Sequence, residues 1–238
     1  KDSGTPTRAM FEILNEGSTF RQAAGAVLTI KNQKGGSENY DLIFDPSTST
    51  FGKGSAIEIL AGNASTDFDI YAVKAMQNLK VGGSDGTVVK ARLALLPLTL
   101  NENLLIQERG EFNSGGRDVF INAGMVNNGS FVAAENTVHF TGSGTIGGTA
   151  ASTVFYNLSK SVGTGTLYLA NDVTGVQVAN NLLLERGRID TQEASLVVKG
   201  DFTLEDGTAV LSSGESSGVI MEGAASQQVR GGGTIDRL

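Results

Sequence analysis

The sequence contains no cysteine, no tryptophan, three prolines and a single histidine, and it holds no long apolar run. Without cysteine there is neither a disulfide framework nor a thiolate metal site, and the compartment stays open, since many exported bacterial proteins also lack cysteine. One histidine excludes His-rich metal ligation. No stretch approaches the run of about 18 apolar residues that crosses a bilayer as a helix, and no basic segment followed by an apolar one opens the chain. Positive charge is also scarce. Eighteen Lys and Arg against 25 Asp and Glu leave a net charge of −7, which argues against a nucleic-acid or anionic-membrane binder, because both need clustered cations to displace counterions.

Glycine is abundant instead, with 32 residues where a chain of this length would ordinarily carry roughly 17. The surplus lies between short β-rich runs and has no Gly-X-Y period, so neither collagen nor disorder accounts for it. Residues 1–9 are polar and read as a lead. From Met10 the apolar runs FEIL (11–14), AVLTI (26–30), YDLIF (40–44), AIEIL (56–60) and FDIYAV (68–73) follow, each bounded by Gly, Asn, Asp or Ser. This is the pattern of strands and turns. Pro46 marks a turn, and Pro97 within ALLPLTL predicts an edge or bent strand. YAVKAMQNL at 71–79 has the composition closest to a helix. Its likeness to VFYNL at 154–158, a poor helix former, favours strand.

The chain repeats itself. NLLIQERGEF at 103–112 returns as NLLLERGRI at 181–189, and each copy is followed by an alternating strand (Val119/Ile121; Val197/Lys199) and a Gly-x-apolar step (Gly129/Phe131; Gly207/Ala209). Leu79 to Leu158, Leu104 to Leu182 and Gly110 to Gly187 are 79, 78 and 77 residues apart. EGSTF at 16–20 with AVLTI resembles RGEF at 109–112 with DVFI, and GGGTI at 231–235 matches GSGTI at 142–146. Residues 10–238 thus read as one solenoid of roughly three units of about 78 residues, the last incomplete. Within a unit, like residues recur every 19 or 20 positions, as at Phe112/Phe131 and Gly187/Gly207. A coil of about 20 residues with two or three short strands is what a β-solenoid requires. The expected fold is therefore all-β, a right-handed parallel β-helix of some eleven coils. Leu104, Ile106, Phe120, Phe131, Phe140, Leu184, Ile189, Val198, Leu204 and Val219 are expected to face inward. A β-sandwich is the alternative.

No motif names a reaction. GSGTIG at 142–147 fits GxGxxG, but a dinucleotide fingerprint needs a helix starting within the glycines, and a turn and a strand are expected after it. His139 sits on the alternating strand TVHF, opposite Val138 and Phe140, and reads as a surface residue rather than part of a Ser-His-Asp site. Asp41/Asp45, Asp67/Asp69 and Glu205/Asp206 are the local acidic pairs that polysaccharide chemistry could use. Asp206-Gly207 and Asp85-Gly86 are turn dipeptides, and Asp67/Asp69 lacks a full calcium-ligand spacing. No catalytic, cofactor-binding or metal-binding residue is assigned, and no cofactor is expected. Sequons occur at Asn63, Asn128 and Asn157.

The phrases VHFTGSGTIGGTAASTVFYNLSKSVGTGTLYLANDVT (138–174), NNLLLERGRIDTQEASLVVKG (180–200) and GAASQQVRGGGTIDRL (223–238) resemble the repetitive β-solenoid surface proteins of Bacteroidetes exported by the type IX route, including adhesins linked to gliding. The likeness is good over 100–238 and loose over 10–99. It implies a secreted, cell-surface structural or adhesive segment of a larger protein, not an enzyme. Glycans or other surface proteins would be its partners, with the outer-membrane secretion machinery as its export route. Nucleic acid and direct membrane insertion are not expected. The family's signal peptide and C-terminal sorting domain are absent from these residues, and it has no active site to carry over. The polar turns Thr141–Gly148, Thr164–Gly165 and Ser212–Ser217 would present the contact surface. The alternatives are a polysaccharide lyase or glycoside hydrolase, which predicts a band of Asp, Glu, Lys and Arg beside a shallow groove, and a docking subunit with an exposed apolar patch.

Overall fold

A computed structural model describes residues 11–31, 40–61, 67–82, 87–161, 163–171, 173 and 175–238. Every regular element among them is a strand, and every pairing is parallel. The strands visit three faces in rotation. Face 1 holds a six-stranded sheet, from Phe11–Ile13 to Ser130–Val132, and a four-stranded one, from Thr153–Phe155 to Gly218–Met221. Face 2 begins with the pair Thr19–Gln22 and Thr48–Phe51, passes through a bridge of Met76 to Leu100, and continues as seven strands from Leu98–Leu100 to Val229–Gly231. Face 3 is one ten-stranded sheet from Val27–Ile30 to Thr234–Ile235. This is the expected parallel β-solenoid and not a sandwich, whose sheets are antiparallel. Seven consecutive turns, from Val89 onward, place a strand on all three faces. The ten rungs of face 3, about 4.8 Å apart, span roughly 43 Å.

Alternation builds the interior. Most three-residue strands bury their first and third residues, as in Leu104–Ile106, Val176–Val178 and Phe202–Leu204, whereas Ser130–Val132, Arg188–Asp190 and Ala209–Leu211 bury only the middle one. The buried side chains form a single core along the axis. Face 1 breaks between Ser130–Val132 and Thr153–Phe155, yet the core continues there, with Phe131 5.5 Å from Phe155 and 6.1 Å from Phe112.

Nine of the ten residues expected inside are buried. The exception is Phe120, which faces outward between inward Val119 and Ile121 and stacks on His139 at 4.5 Å. Pro97 lies in the corner between Val89–Leu93 and Leu98–Leu100 and interrupts no strand. The 71–79 stretch is not helical: Asp67–Ala72, the Met76 bridge and Leu79–Val81 divide it. The lead at 1–9 lies outside the described residues.

The short period maps rung onto rung. Phe112 pairs with Phe131 and Val119 with Val138, nineteen residues on in each case. The coil is less uniform than expected, reaching 31 residues from Phe11 to Leu42 and 27 from Phe202 to Val229. The pairing of Ile189 with Val210 corrects the alignment with Ala209 by one residue. Val197 and Lys199 point outward where Val119 and Ile121 point inward, another slip of one.

The long period behaves differently. Leu79 and Leu104 lie on face 3, but Leu158 and Leu182 lie on face 2. Phe20 is on face 2 and Phe112 on face 1, so each later copy stands one face back. GSGTI and GGGTI, in contrast, share face 3.

Candidate functional site

The Asn-Leu phrase that anchors the repeat has a structural task. At Asn78, Asn103, Asn157 and Asn181 the following leucine turns into the core while the amide oxygen reaches the next rung. Asn78 Oδ1 accepts the Asn103 N–H at 2.9 Å, and Asn103 Oδ1 accepts the Gly124 N–H at 2.9 Å. At the corner before face 2, Asp118 accepts from Thr137, Asn157 from Asn181, Asn181 from Asp201 and Asp201 from Gln228, at 2.8 to 3.0 Å. Each contact satisfies a corner N–H that the sheets leave unpaired. Glu102 joins the first ladder through Asn78 Nδ2 at 2.6 Å and the Gly54 N–H. Burial pushes its carboxyl pKa up, but hydrogen bonds from Asn78, Gln77 and Gly54 with the charge of Lys53 outweigh this, and the net direction is down.

The expected turn surfaces are largely occupied by their own contacts. Thr141–Gly148 contains the strand Gly144–Gly147, so no helix follows the GxGxxG glycines. In Ser212–Ser217 the hydroxyls of Ser212 and Ser217 bond each other, and Ser217 Oγ accepts the Gly214 N–H at 2.9 Å. Thr164 lines an open groove of 590 Å³ with Glu185, Arg186, Glu205, Asp206 and Thr208. Gly207 there has φ 77°, which fits the turn reading of Asp206-Gly207. Asp85-Gly86 and Asn63 lie outside the described residues. Of the other sequons, Asn128 accepts the Thr149 N–H at 2.9 Å, and Asn157 is held in the ladder.

The acidic pairs meet different surroundings, and Glu205 and Asp206 stay together in the corner groove. Asp41 is buried and its Oδ2 accepts the Asp69 N–H at 2.8 Å, while Asp45 keeps a buried Oδ1 without a hydrogen-bond partner. Asp67 and Asp69 instead stand on the outside of face 1, on strand Asp67–Ala72. Register sets Lys90 beside Asp67 and Glu111 beside Lys90. One step along the strands it sets Arg92 beside Asp69 and Asn113 beside Arg92. These six residues line a groove of 340 Å³. Arg92 grips Asp69 through Nε and Nη2, both at 2.9 Å. That hydrogen bond and the Asp69 charge raise the guanidinium pKa against the opposing effect of burial. Tyr71, the next outward residue of the strand, stacks on Tyr40 at 4.9 Å. The sequence showed Asp67/Asp69 as a pair but not their cross-rung partners, because coil length decides which residues meet.

His139 does point outward. Its Nε2 lies 3.9 Å from Asp118 Oδ2, and burial lowers its pKa against the raising effect of Asp118 and Glu185. Ser159 occupies the adjacent rung, but its Oγ is buried and has no hydrogen-bond partner, so no Ser-His-Asp relay forms. No cluster of three or more His, Cys, Asp or Glu suited to a metal occurs among the described residues. No protein-family model, no curated protein and no solved structure matches this chain.

Proposed function

We propose that this chain is a segment of a secreted cell-surface β-solenoid, a rigid non-catalytic stalk whose sides adhere to glycans or other surface proteins. The observation that supports it most is the corner ladder, in which side-chain acceptors tie successive rungs together as the sheets do along the faces. A rod bonded at both face and corner resists bending and shear, and repetition along it offers multivalent contact. The resemblance of residues 100–238 to type IX exported surface proteins supports the location and the export route.

A second reading, a polysaccharide-active β-helix, draws support from the charged groove on face 1. A screen of immobilised polysaccharides separates the two, run with calcium and with chelator and followed by an assay for released reducing or unsaturated ends. Retention without product is expected. Release of product overturns the stalk reading.

A further inference from the structure

We propose that the groove on the outside of face 1 is a binding subsite for a neutral oligosaccharide, with Arg92, Asp69, Asn113 and Tyr71 as its principal contacts. The inference rests on the adhesive reading and moves the contact surface from the turns to a strand face. The groove is a flat grid. Three rungs at about 4.8 Å cross two outward columns about 7 Å apart, giving a surface on the scale of two sugar rings.

Its chemistry suits vicinal hydroxyls. The Arg92–Asp69 fork is fixed by two hydrogen bonds, so little side-chain freedom remains to be lost on binding. Two contacts leave most of the five guanidinium N–H donors unused, and both Asp69 oxygens retain acceptor capacity. Their side chains remain 58% and 32% exposed, so these positions are accessible. Asn113 and Glu111 add donors and acceptors one rung further on. Tyr71, two residues beyond Asp69 on the same strand, flanks the lining residues and is half-buried. One ring face is held against Tyr40, and the other is the aromatic contact at the edge of the grid.

The charge selects against polyanions. Asp67, Asp69 and Glu111 outnumber Lys90 and Arg92 in the groove, and the chain as a whole carries −7. The grid has no apolar centre of the kind a protein interface buries.

The test is titration of the full chain with cellohexaose, laminarihexaose, mannohexaose and hexa-galacturonate, followed by isothermal calorimetry or ligand-observed NMR. At least one neutral hexasaccharide should bind. Arg92→Ala and Tyr71→Ala should each weaken it about tenfold or more, the scale of losing one fork or one stacking face. Asp206→Asn, in the corner groove, should leave binding unchanged. Circular dichroism and thermal melts establish that the variants are folded, and Arg92→Lys, which keeps the charge without the fork, should also lose affinity. Neutral binding that survives Arg92→Ala and Tyr71→Ala overturns this subsite and leaves the adhesive reading intact. Preference for the galacturonate overturns the neutral assignment. Silence with every sugar overturns the subsite, and the adhesive reading falls only if the polysaccharide screen is silent too.

Discussion

Lys160 carries an ionisable group into the core. It takes an inward position, with Phe140 and Leu184 as its partners in the neighbouring rungs, and it is fully buried. Burial lowers its pKa because the charged form loses hydration. The folded state therefore binds fewer protons than the unfolded state between the lowered value and the ordinary lysine value of about 10.4, and stability rises with pH across that window. Lys160→Met should be more stable than the parent at neutral pH, and the difference should shrink as pH climbs toward that ordinary value. Urea melts from pH 7 to 10 measure this. A gap that stays constant would mean the amine is not carrying the cost. Phe120 shows where sequence reading fails at this scale. Val119, Phe120 and Ile121 are all apolar, so alternation alone cannot choose which pair turns inward, and the stacking partner His139 lies a whole rung away.

At the scale of the strand and its corner, two devices can be tested. Asn181 serves through an oxygen that accepts the Asp201 N–H, and aspartate does the same work at positions 118 and 201. Asn181→Asp should melt close to the parent, whereas Asn181→Leu should lose about 0.5–1.5 kcal/mol, the scale of one net hydrogen bond at an exposed corner. Equal losses in chemical denaturation would refute the acceptor role. The glycines of GSGTIG have an equally plain purpose. A Cβ on Gly142 would fall on the carbonyl oxygen of Asn122, and one on Gly144 on that of Ala123, so the close approach of the next rung requires them. Gly144→Ala should cost about 1–3 kcal/mol through overpacking, read as a shift in denaturation midpoint. An unchanged midpoint would show that the corner relaxes freely. The five early apolar runs all became strands, because turn residues bound them and each needs only local alternation. The face 1 groove was illegible, since Asp69 meets Arg92 only through the length of the intervening coil.

Across the whole molecule, order is uneven. Strands Thr19–Gln22, Val27–Ile30 and Thr48–Phe51 expose much of their length, while those from Leu98 to Leu204 mostly bury two or more residues each. In a stack where each rung touches only its neighbours, local stability follows local burial. Native-state hydrogen exchange should be slowest around Leu104–Ile106, Val119–Ile121 and Thr137–Phe140, and faster before Phe51. Uniform protection along the axis would indicate one cooperative unit instead.

The long repeat places matching residues one face back with each copy. It advances by eleven strand positions where twelve would complete four full turns. The Asn-Leu copies therefore wind round the rod like the thread of a screw and point in a new compass direction at their next appearance, while GSGTI and GGGTI, twelve strand positions apart, return to the same side. An observer fixed at one side would see the glycine-threonine phrase twice but the Asn-Leu phrase from a different angle in each copy of the repeat.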